Sequence, residues 1–258
     1  MLKYPIINNI FRVAFATLFL LDVFKEISWW TYILFGALWL ALTIIGSFHI
    51  RWNYHLHALH SNKKVHNKLV AITFDDGPHP SFTPKVLELL QKYNAKASFF
   101  CVGHRVHDYG GIVKKIVANG HTIGNHTYTH SNKFGFYGTQ KVILELQKTN
   151  MAIRETTGLD PKLYRPAFGV TNPSIGRAVK KLQLNTIGWN IRSLDTTKRS
   201  EKAVLKRITN KIKKGDIILL HDSSDKTVEV LEQLLLFLQQ NEIRSVTVDQ
   251  LLDIEAYV

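Results

Sequence analysis

From Lys68 to the C-terminus, short apolar runs alternate with longer stretches of helical period, and this alternation constrains the fold more than any other feature of the chain. The strand-like runs are "LVAITF", "ASFFCV", "HTIGN", "KLYRPA", "LNTIGW", "DIILLH" and "RSVTV". Between them lie segments whose apolar residues recur at a period near 3.6, among them "TPKVLELLQKY", "TQKVILELQKTNMAIRETTG" and "VEVLEQLLLFLQQ". Strands separated by helices pair in parallel, because each helix carries the chain back across the sheet. About seven such strands predict an α/β fold, a distorted parallel β/α barrel slightly short of the usual eight. In sheets of this kind the chemistry sits at the C-terminal ends of the strands.

The first 50 residues have a different character. "ISWWTYILFGALWLALTIIGSF", Ile27 to Phe48, is uncharged and overwhelmingly apolar, and predicts a transmembrane helix with Trp29, Trp30 and Tyr32 at one interface. The stretch from Pro5 to Phe24 is interrupted by Asn8, Asn9 and Arg12. It fits either a second span or a helix lying on the membrane surface. A cleaved signal peptide fits less well, because no small-x-small pattern precedes the soluble part. The expected organisation is a membrane segment at 1–50, a linker at 51–67 and a soluble domain at 68–258, tethered to a lipid bilayer that is expected to be the cell membrane. With two spans, Lys3, Arg51, Lys63, Lys64 and Lys68 would hold the domain in the cytoplasm by the positive-inside rule. A surface-lying first helix would leave it outside.

A net charge of +13 points to a polyanionic neighbour such as a membrane surface or an anionic glycan. The basic residues are spread along amphipathic segments with no nucleic-acid motif beside them, so no nucleic-acid partner is expected. Cys101, in "ASFFCV", is the sole cysteine, which excludes an internal disulfide and reads as a buried thiol.

Five strand exits carry groups able to do chemistry. "AITFDDGPHP" ends a buried strand with Asp75 and Asp76 before Gly77-Pro78 turns the chain; a plain turn and an active site both fit it. Alternation along a strand would send the two carboxylates to opposite sides and so to different tasks. "HTIGNHTYTH" places His126 and His130 four apart, a spacing that brings two imidazoles to one face of a helical turn, as a shared metal requires. "YRPAFG" offers Arg165 in a rigid loop, where a guanidinium can clamp a carboxylate. "DIILLHD" ends in His221, either a core histidine or a general acid. "IGWNIRSLDT" brings Trp189, Arg192 and Asp195; Asp195 could orient a histidine and Arg192 could pair with a carboxylate.

Taken together, these segments resemble the five motifs of the polysaccharide deacetylases of carbohydrate esterase family four, whose catalytic domain is termed NodB-like. "TFDDGP" matches letter for letter, "HTYTH" matches His-Ser/Thr-x-x-His, "RPAFG" matches Arg-x-Pro-aromatic-Gly, and "LLH" matches Leu-x-His. The resemblance covers nearly all of the soluble part. It implies that Asp76, His126 and His130 hold a divalent metal, usually zinc, and that Asp75 is the base for metal-bound water attacking an amide. It further implies that Arg165 holds Asp75 in place, His221 protonates the leaving amine, the Phe168 N–H binds the oxyanion, and Leu219 lines the pocket for the acetyl methyl. The fourth motif departs from the family pattern Trp-x-x-Asp-x-x-Asp-Trp. Trp189 and Asp195 keep their places, with Trp189 shaping the substrate pocket and Asp195 tuning His221, but Arg192 and Thr196 replace the first Asp and the second Trp.

The expected function is therefore a membrane-tethered hydrolase that removes N-acetyl groups from N-acetylhexosamine units of a glycan. Two other readings stand beside it: a glycan-binding pseudoenzyme, and an amidohydrolase for a lipid-linked sugar or a non-sugar amide. In "SNKFGFYG", the aromatic residues Phe134, Phe136 and Tyr137 either stack on sugar faces or pack onto the barrel.

Overall fold

The computed structural model describes residues 3–258. Its strands are β1 (Ala58–Leu59), β2 (Leu69–Asp75), β3 (Ala97–Cys101), β4 (Thr122–Asn125), β5 (Leu163–Tyr164), β6 (Asn185–Ile187), β7 (Ile191–Arg192), β8 (Ile217–His221) and β9 (Arg244–Ser245). They pair in parallel in the order β1-β6-β5-β4-β3-β2-β8-β7, with β9 beside the start of β2. No ladder joins β1 to β7 among the described residues, so the sheet is a curled half-barrel rather than a closed one. The seven expected strands all form. Two more, β1 and β7, are two residues long, too short to show any period.

The helices are α1 (Tyr4–Asp22), α2 (Trp29–Phe48), α3 (Phe82–Lys92), α4 (Gly103–Asp108), α5 (Gly110–Ala118), α6 (Thr139–Thr157), α7 (Pro173–Lys181), α8 (Glu201–Thr209), α9 (Asp225–Gln240) and α10 (Val248–Leu252). Strand alternation divides the core between the two faces of the sheet. Val70, Ile72 and Phe74 of β2, with Ile218 and Leu220 of β8, face outward into one cluster with Val86 and Leu90 of α3 and Leu231, Leu234 and Leu238 of α9. Ala71 and Ile217 face inward with Phe100, Leu163 and Ile187, and this interior is plugged by Val246, Val248 and Leu251 of the C-terminal segment. Each fully buried Leu or Ile contributes about 1.5–3 kcal/mol. Thr73 and Asp75 share the inward face of β2 and lie toward its C-terminal end, above the apolar plug.

Within 51–67 the chain joins the sheet at three residues and is tied to it beyond them: Ala58 and Leu59 of β1 pair with β6, Ser61 bridges Asp216, and Asn62 Nδ2 donates to the Leu251 carbonyl (2.8 Å). Ahead of them stand α1 and α2, of 19 and 20 residues, each long and apolar enough to cross a membrane. An N-terminal signal segment has the same length and composition. The two helices meet through Phe11, Phe15 and Phe35. Most of their apolar side chains are exposed, Phe19 and Leu34 each to 68%. The barrel grips the C-terminal end of α2, where the Thr171 N–H donates to the Ser47 carbonyl (2.9 Å) and the Tyr54 ring lies against Gly46.

Candidate active site

At the end of β2, Asp75 lies in register with Phe100 of β3 and His221 of β8. Asp76 then takes φ 72°, a left-handed conformation that a non-glycine residue holds only under constraint. This turn cancels the alternation of the strand. Both carboxylates meet one imidazole: His126 Nε2 lies 3.3 Å from Asp76 Oδ1 and 4.0 Å from Asp75 Oδ2. The expectation that they point to opposite sides is corrected accordingly. A glycine must follow, because a Cβ on Gly77 would stand 2.5 Å from Asp222 Oδ2. Asp222 is buried, which pushes its carboxyl up to about 6, and Thr83 Oγ1 donates to it.

His126 and His130 also come together, but not on a helix. The segment after β4 is irregular, with Thr127 at φ 67° and His130 at φ 47°. The ring centroids lie 4.9 Å apart. Side chains distant in sequence shape this loop. Asn125 Oδ1 accepts the Thr127 N–H (2.9 Å), and Glu145 of α6 accepts the N–H groups of Tyr128 (3.1 Å) and Thr129 (2.9 Å). Neither Asn125 nor Glu145 stood out in the sequence. Asn125 offered one signal, an Asx residue at a strand exit, where such residues bind the backbone two positions on.

One carboxylate oxygen of Asp76 and one ring nitrogen each of His126 and His130 lie within 4.8 Å of one another. His130 Nε2 is 3.2 Å from Asp76 Oδ1. His126 donates from Nδ1 to the Arg165 carbonyl (2.9 Å), which turns Nε2 toward the carboxylates. Burial and the neighbouring His126 push His130 down to about 4, the neutral form that a metal ligand needs. Burial works against the charge of Asp76, but His126, His130 and His221 hold it well below the usual carboxylate range. Burial likewise opposes a charged His126, and the Asp75 and Asp76 carboxylates outweigh it. A field that retains a proton on a buried imidazole favours a cation at the same place. Two imidazoles and one carboxylate therefore fit a divalent metal in chemistry, spacing and charge.

Arg165 is wholly buried, and all three of its guanidinium nitrogens are engaged. Nη1 donates to Asp75 Oδ1 (3.0 Å) and Oδ2 (3.3 Å), Nε to the Ile187 carbonyl (2.7 Å), and Nη2 to Thr73 Oγ1 (3.2 Å) and the Gly188 carbonyl (3.2 Å). The rings of Phe100 and Trp189 enclose it at 4.3 and 5.2 Å. Trp189 also fills the space a Cβ would need at Gly169, whose φ is +69°.

On the other side of Asp75, His221 donates from Nδ1 to Asp195 Oδ1 (2.9 Å). Asp195 is held by Ser193 Oγ (2.8 Å), Thr227 Oγ1 (3.0 Å) and the His221 N–H (2.8 Å). Burial opposes a charge on His221, but Asp195, helped by Asp75 and Asp76, pushes it up to about 9. Arg192 pairs with no carboxylate among the described residues. Ile191 and Ser193 are buried and Arg192 between them is exposed, so strand alternation turns it away from the site and the expected pairing is corrected. Thr196 is exposed as well.

The Phe168 ring lies tilted against His130, with centroids 4.5 Å apart, and its backbone is left-handed at φ 58°. The turn there is closed by the N–H of Gly169 to Pro166 (2.9 Å) and of Val170 to Ala167 (3.1 Å); the Phe168 N–H is in neither bond. Leu219, two residues before His221, is buried on the same inward face in register with Thr73. A cavity of about 400 Å³ opens beside Asp76 and His130, lined also by His104 and Arg105. In the loop expected to meet sugars, Phe134 is core, whereas Phe136 is 91% exposed and Lys141 Nζ lies 3.8 Å from the Tyr137 ring. Apart from Arg192, which turns outward, the singled-out strand-exit residues gather at one end of the sheet, around an arrangement that can bind a cation, accept a proton and give one.

The chain is similar to several known proteins. The family model of polysaccharide deacetylase matches residues 62–187. A peptidoglycan-N-acetylglucosamine deacetylase of Bacillus cereus is 35% identical over 192 residues, covering 72% of this chain and 88% of that protein. The peptidoglycan-N-acetylglucosamine deacetylase PgdA of Listeria monocytogenes is 34% identical over 185 residues, covering 72% of this chain but 39% of that longer protein. The crystal structure of the Bc1960 peptidoglycan N-acetylglucosamine deacetylase has a TM-score of 0.72 at 28% identity, covering 76% of this chain and 93% of that one. A family-four pseudoenzyme from Bacillus anthracis has a TM-score of 0.70 at 27% identity, covering 76% and 69%.

Proposed function

This chain belongs to the polysaccharide deacetylases of carbohydrate esterase family four, hydrolases of N-acetyl amides, and from that membership and the site above we propose that it is a metal-dependent enzyme removing acetyl groups from N-acetylhexosamine units of a glycan, peptidoglycan first among them. The carrying observation is the triangle of Asp76, His126 and His130, with Asp75 and His221 on either side. An amide is a poor electrophile with a poor leaving group, so its hydrolysis needs a base, an acid and a stabilised oxyanion together. A divalent cation held by Asp76, His126 and His130, zinc the leading candidate, would polarise the carbonyl and acidify water.

The chain's own residues supply the remaining chemistry. Asp75, kept in place by Arg165, takes the proton of the attacking water. The Phe168 N–H donates to the oxygen that becomes anionic, and Leu219 and Trp189 shape the acetyl pocket. His221 gives its proton to the leaving amine. The two titrating groups are set apart by environment, a carboxylate clamped by a guanidinium and an imidazole raised by Asp195. A pseudoenzyme reading requires loss of a ligand, base or acid, and all of these residue types are present.

Acetate release from N-acetylglucosamine oligomers and peptidoglycan fragments by the full chain in detergent tests the reading. Chelation is expected to abolish release and added zinc to restore it, while His126→Ala loses both zinc content and activity. Equal rates before and after complete chelation would sink the metal-dependent reading.

A second outcome concerns pH. His221 must be protonated to act as an acid, so kcat/KM falls as pH rises through about 9. Asp195→Asn removes the charge that raises His221 and leaves the burial that lowers it. The alkaline limb is then expected to move down toward or below the ordinary 6.5. An unmoved limb would assign the acid elsewhere.

The apolar faces of α1 and α2 support a tether in the cell membrane with the barrel at the C-terminal end of α2. A polymeric wall substrate requires the barrel on the outer face. The cations flanking the two helices favour the inner face, where a lipid-linked sugar would be the substrate. Labelling of a cysteine introduced at exposed Lys198 by an impermeant reagent in intact cells decides between them, since Cys101 is buried.

A further inference from the structure

Where the barrel meets α2 there is a group of basic side chains that the proposed hydrolysis does not use, in a cavity that shares only Trp189 with the candidate active site. α2 ends at Phe48, and the chain continues through Ile50 and Arg51 beside the edge strand β7. These residues, with Arg192 of β7, Arg207 of α8 and Lys211 just beyond it, line a cavity of about 260 Å³. Three arginines and one lysine thus line one cavity, and no acidic residue does. None of the four cations is in an ion pair among the described residues. Arg207 is half-buried, and its one hydrogen bond runs from Nε to the Arg192 carbonyl (2.8 Å). Arg51 reaches His49 alone, at 3.5 Å. Asp216, next to the cavity wall, is already engaged by Asn190 and by the Lys213 N–H.

Like charges gathered without a counter-charge repel, and an anion between them relieves that repulsion. Guanidinium forks match the oxygens of a phosphate better than any other side chain does. The position narrows the source of that phosphate. Phe48, 66% exposed, is the last residue of an apolar helix of spanning length, so the cavity opens at the level of lipid headgroups if α2 is embedded.

We propose that this cavity binds the phosphate of an anionic lipid headgroup and so fixes the barrel against the membrane surface. This rests on reading α2 as membrane-embedded and is independent of the hydrolytic reading. It gives Arg192 a task outside the active site.

The test is the unfolding midpoint of the full chain in neutral detergent micelles with phosphatidylglycerol, with phosphatidylcholine, or with inorganic pyrophosphate. Phosphatidylglycerol at a tenfold excess over its dissociation constant is expected to raise the midpoint by about 3–5 °C. Phosphatidylcholine should leave it unchanged. The rise should vanish in Arg192→Ser/Lys211→Ser and persist in Lys114→Ser/Lys115→Ser, which removes the same charge from α5. A rise with pyrophosphate equal to that with phosphatidylglycerol would keep the phosphate site but assign it to a soluble ligand and overturn the lipid anchor. Equal rises with both lipids, no rise at all, or equal loss in the two double variants would overturn the site itself.

Discussion

Asp75→Asn is expected to lower acetate release by about 10²–10⁴-fold, the usual contribution of a general base, while zinc content stays at the wild-type level. The separation of the two readouts follows from the geometry. Asn has the shape of Asp, and its amide oxygen can still accept from Arg165 Nη1, which now meets Asp75 Oδ1 at 3.0 Å. The candidate ligand atoms belong to Asp76, His126 and His130 and are untouched. What disappears is the ability to take a proton. Arg165 keeps neutral acceptors at Ile187, Gly188 and Thr73. The stability loss is therefore expected at about 1–3 kcal/mol, too little to unfold the domain. A rate within tenfold of wild type in a folded, zinc-loaded Asp75→Asn protein would remove Asp75 from the role of base.

How far this site was legible in the sequence depends on the range of the signal. The long periodic segments α3, α6 and α9 appear in the structure within three residues of their expected bounds, because amphipathic period survives tertiary packing. The six-residue α4, "GHRVHD", carries too little apolar pattern to be read, and the two-residue strands β1 and β7 carry none. At the site the residue identities were legible and their geometry was not. Nothing in "TFDDGP" announces that Asp76 turns left-handed, so alternation separated two carboxylates that in fact share His126. The His-x-x-x-His spacing suggested a helical turn, whereas the pairing is made by Asn125 and by Glu145, the latter 16 and 17 residues beyond the N–H groups it holds. Arg192 shows the opposite limit. Its place in the fourth motif suggested a role near His221, yet the pleat of β7 sends it to the outside. Position in a motif fixes a neighbourhood; the direction of the side chain follows from the strand.

Arg165→Leu is expected to be the most destabilising single change at the site, by about 3–5 kcal/mol, because it strands a buried carboxylate. Asp75 is 3% exposed, and the guanidinium is the cation that hydrogen-bonds it. For a domain of about 190 residues each kcal/mol lowers the midpoint by roughly 2–4 °C, so a fall of about 6–20 °C is expected, with activity lost. Two further variants separate charge from geometry. Arg165→Lys restores a positive charge but presents three donors from one point, and cannot span Asp75, Thr73 and the carbonyls of Ile187 and Gly188 at once. It is expected to recover a minor part of the lost stability and little activity. The double variant Asp75→Asn/Arg165→Leu removes the stranded charge together with its partner, and should be more stable than Arg165→Leu alone. If Lys restored both midpoint and rate, charge alone would suffice and the fork geometry would be irrelevant. If the double variant were no more stable than Arg165→Leu, the cost would lie in the lost packing against Phe100 and Trp189 rather than in the ion pair. The expected pattern instead makes Arg165 the joint between fold and proposed chemistry: its guanidinium holds Asp75, the proposed base, and its backbone carbonyl, accepting from His126 Nδ1 at 2.9 Å, orients a candidate metal ligand.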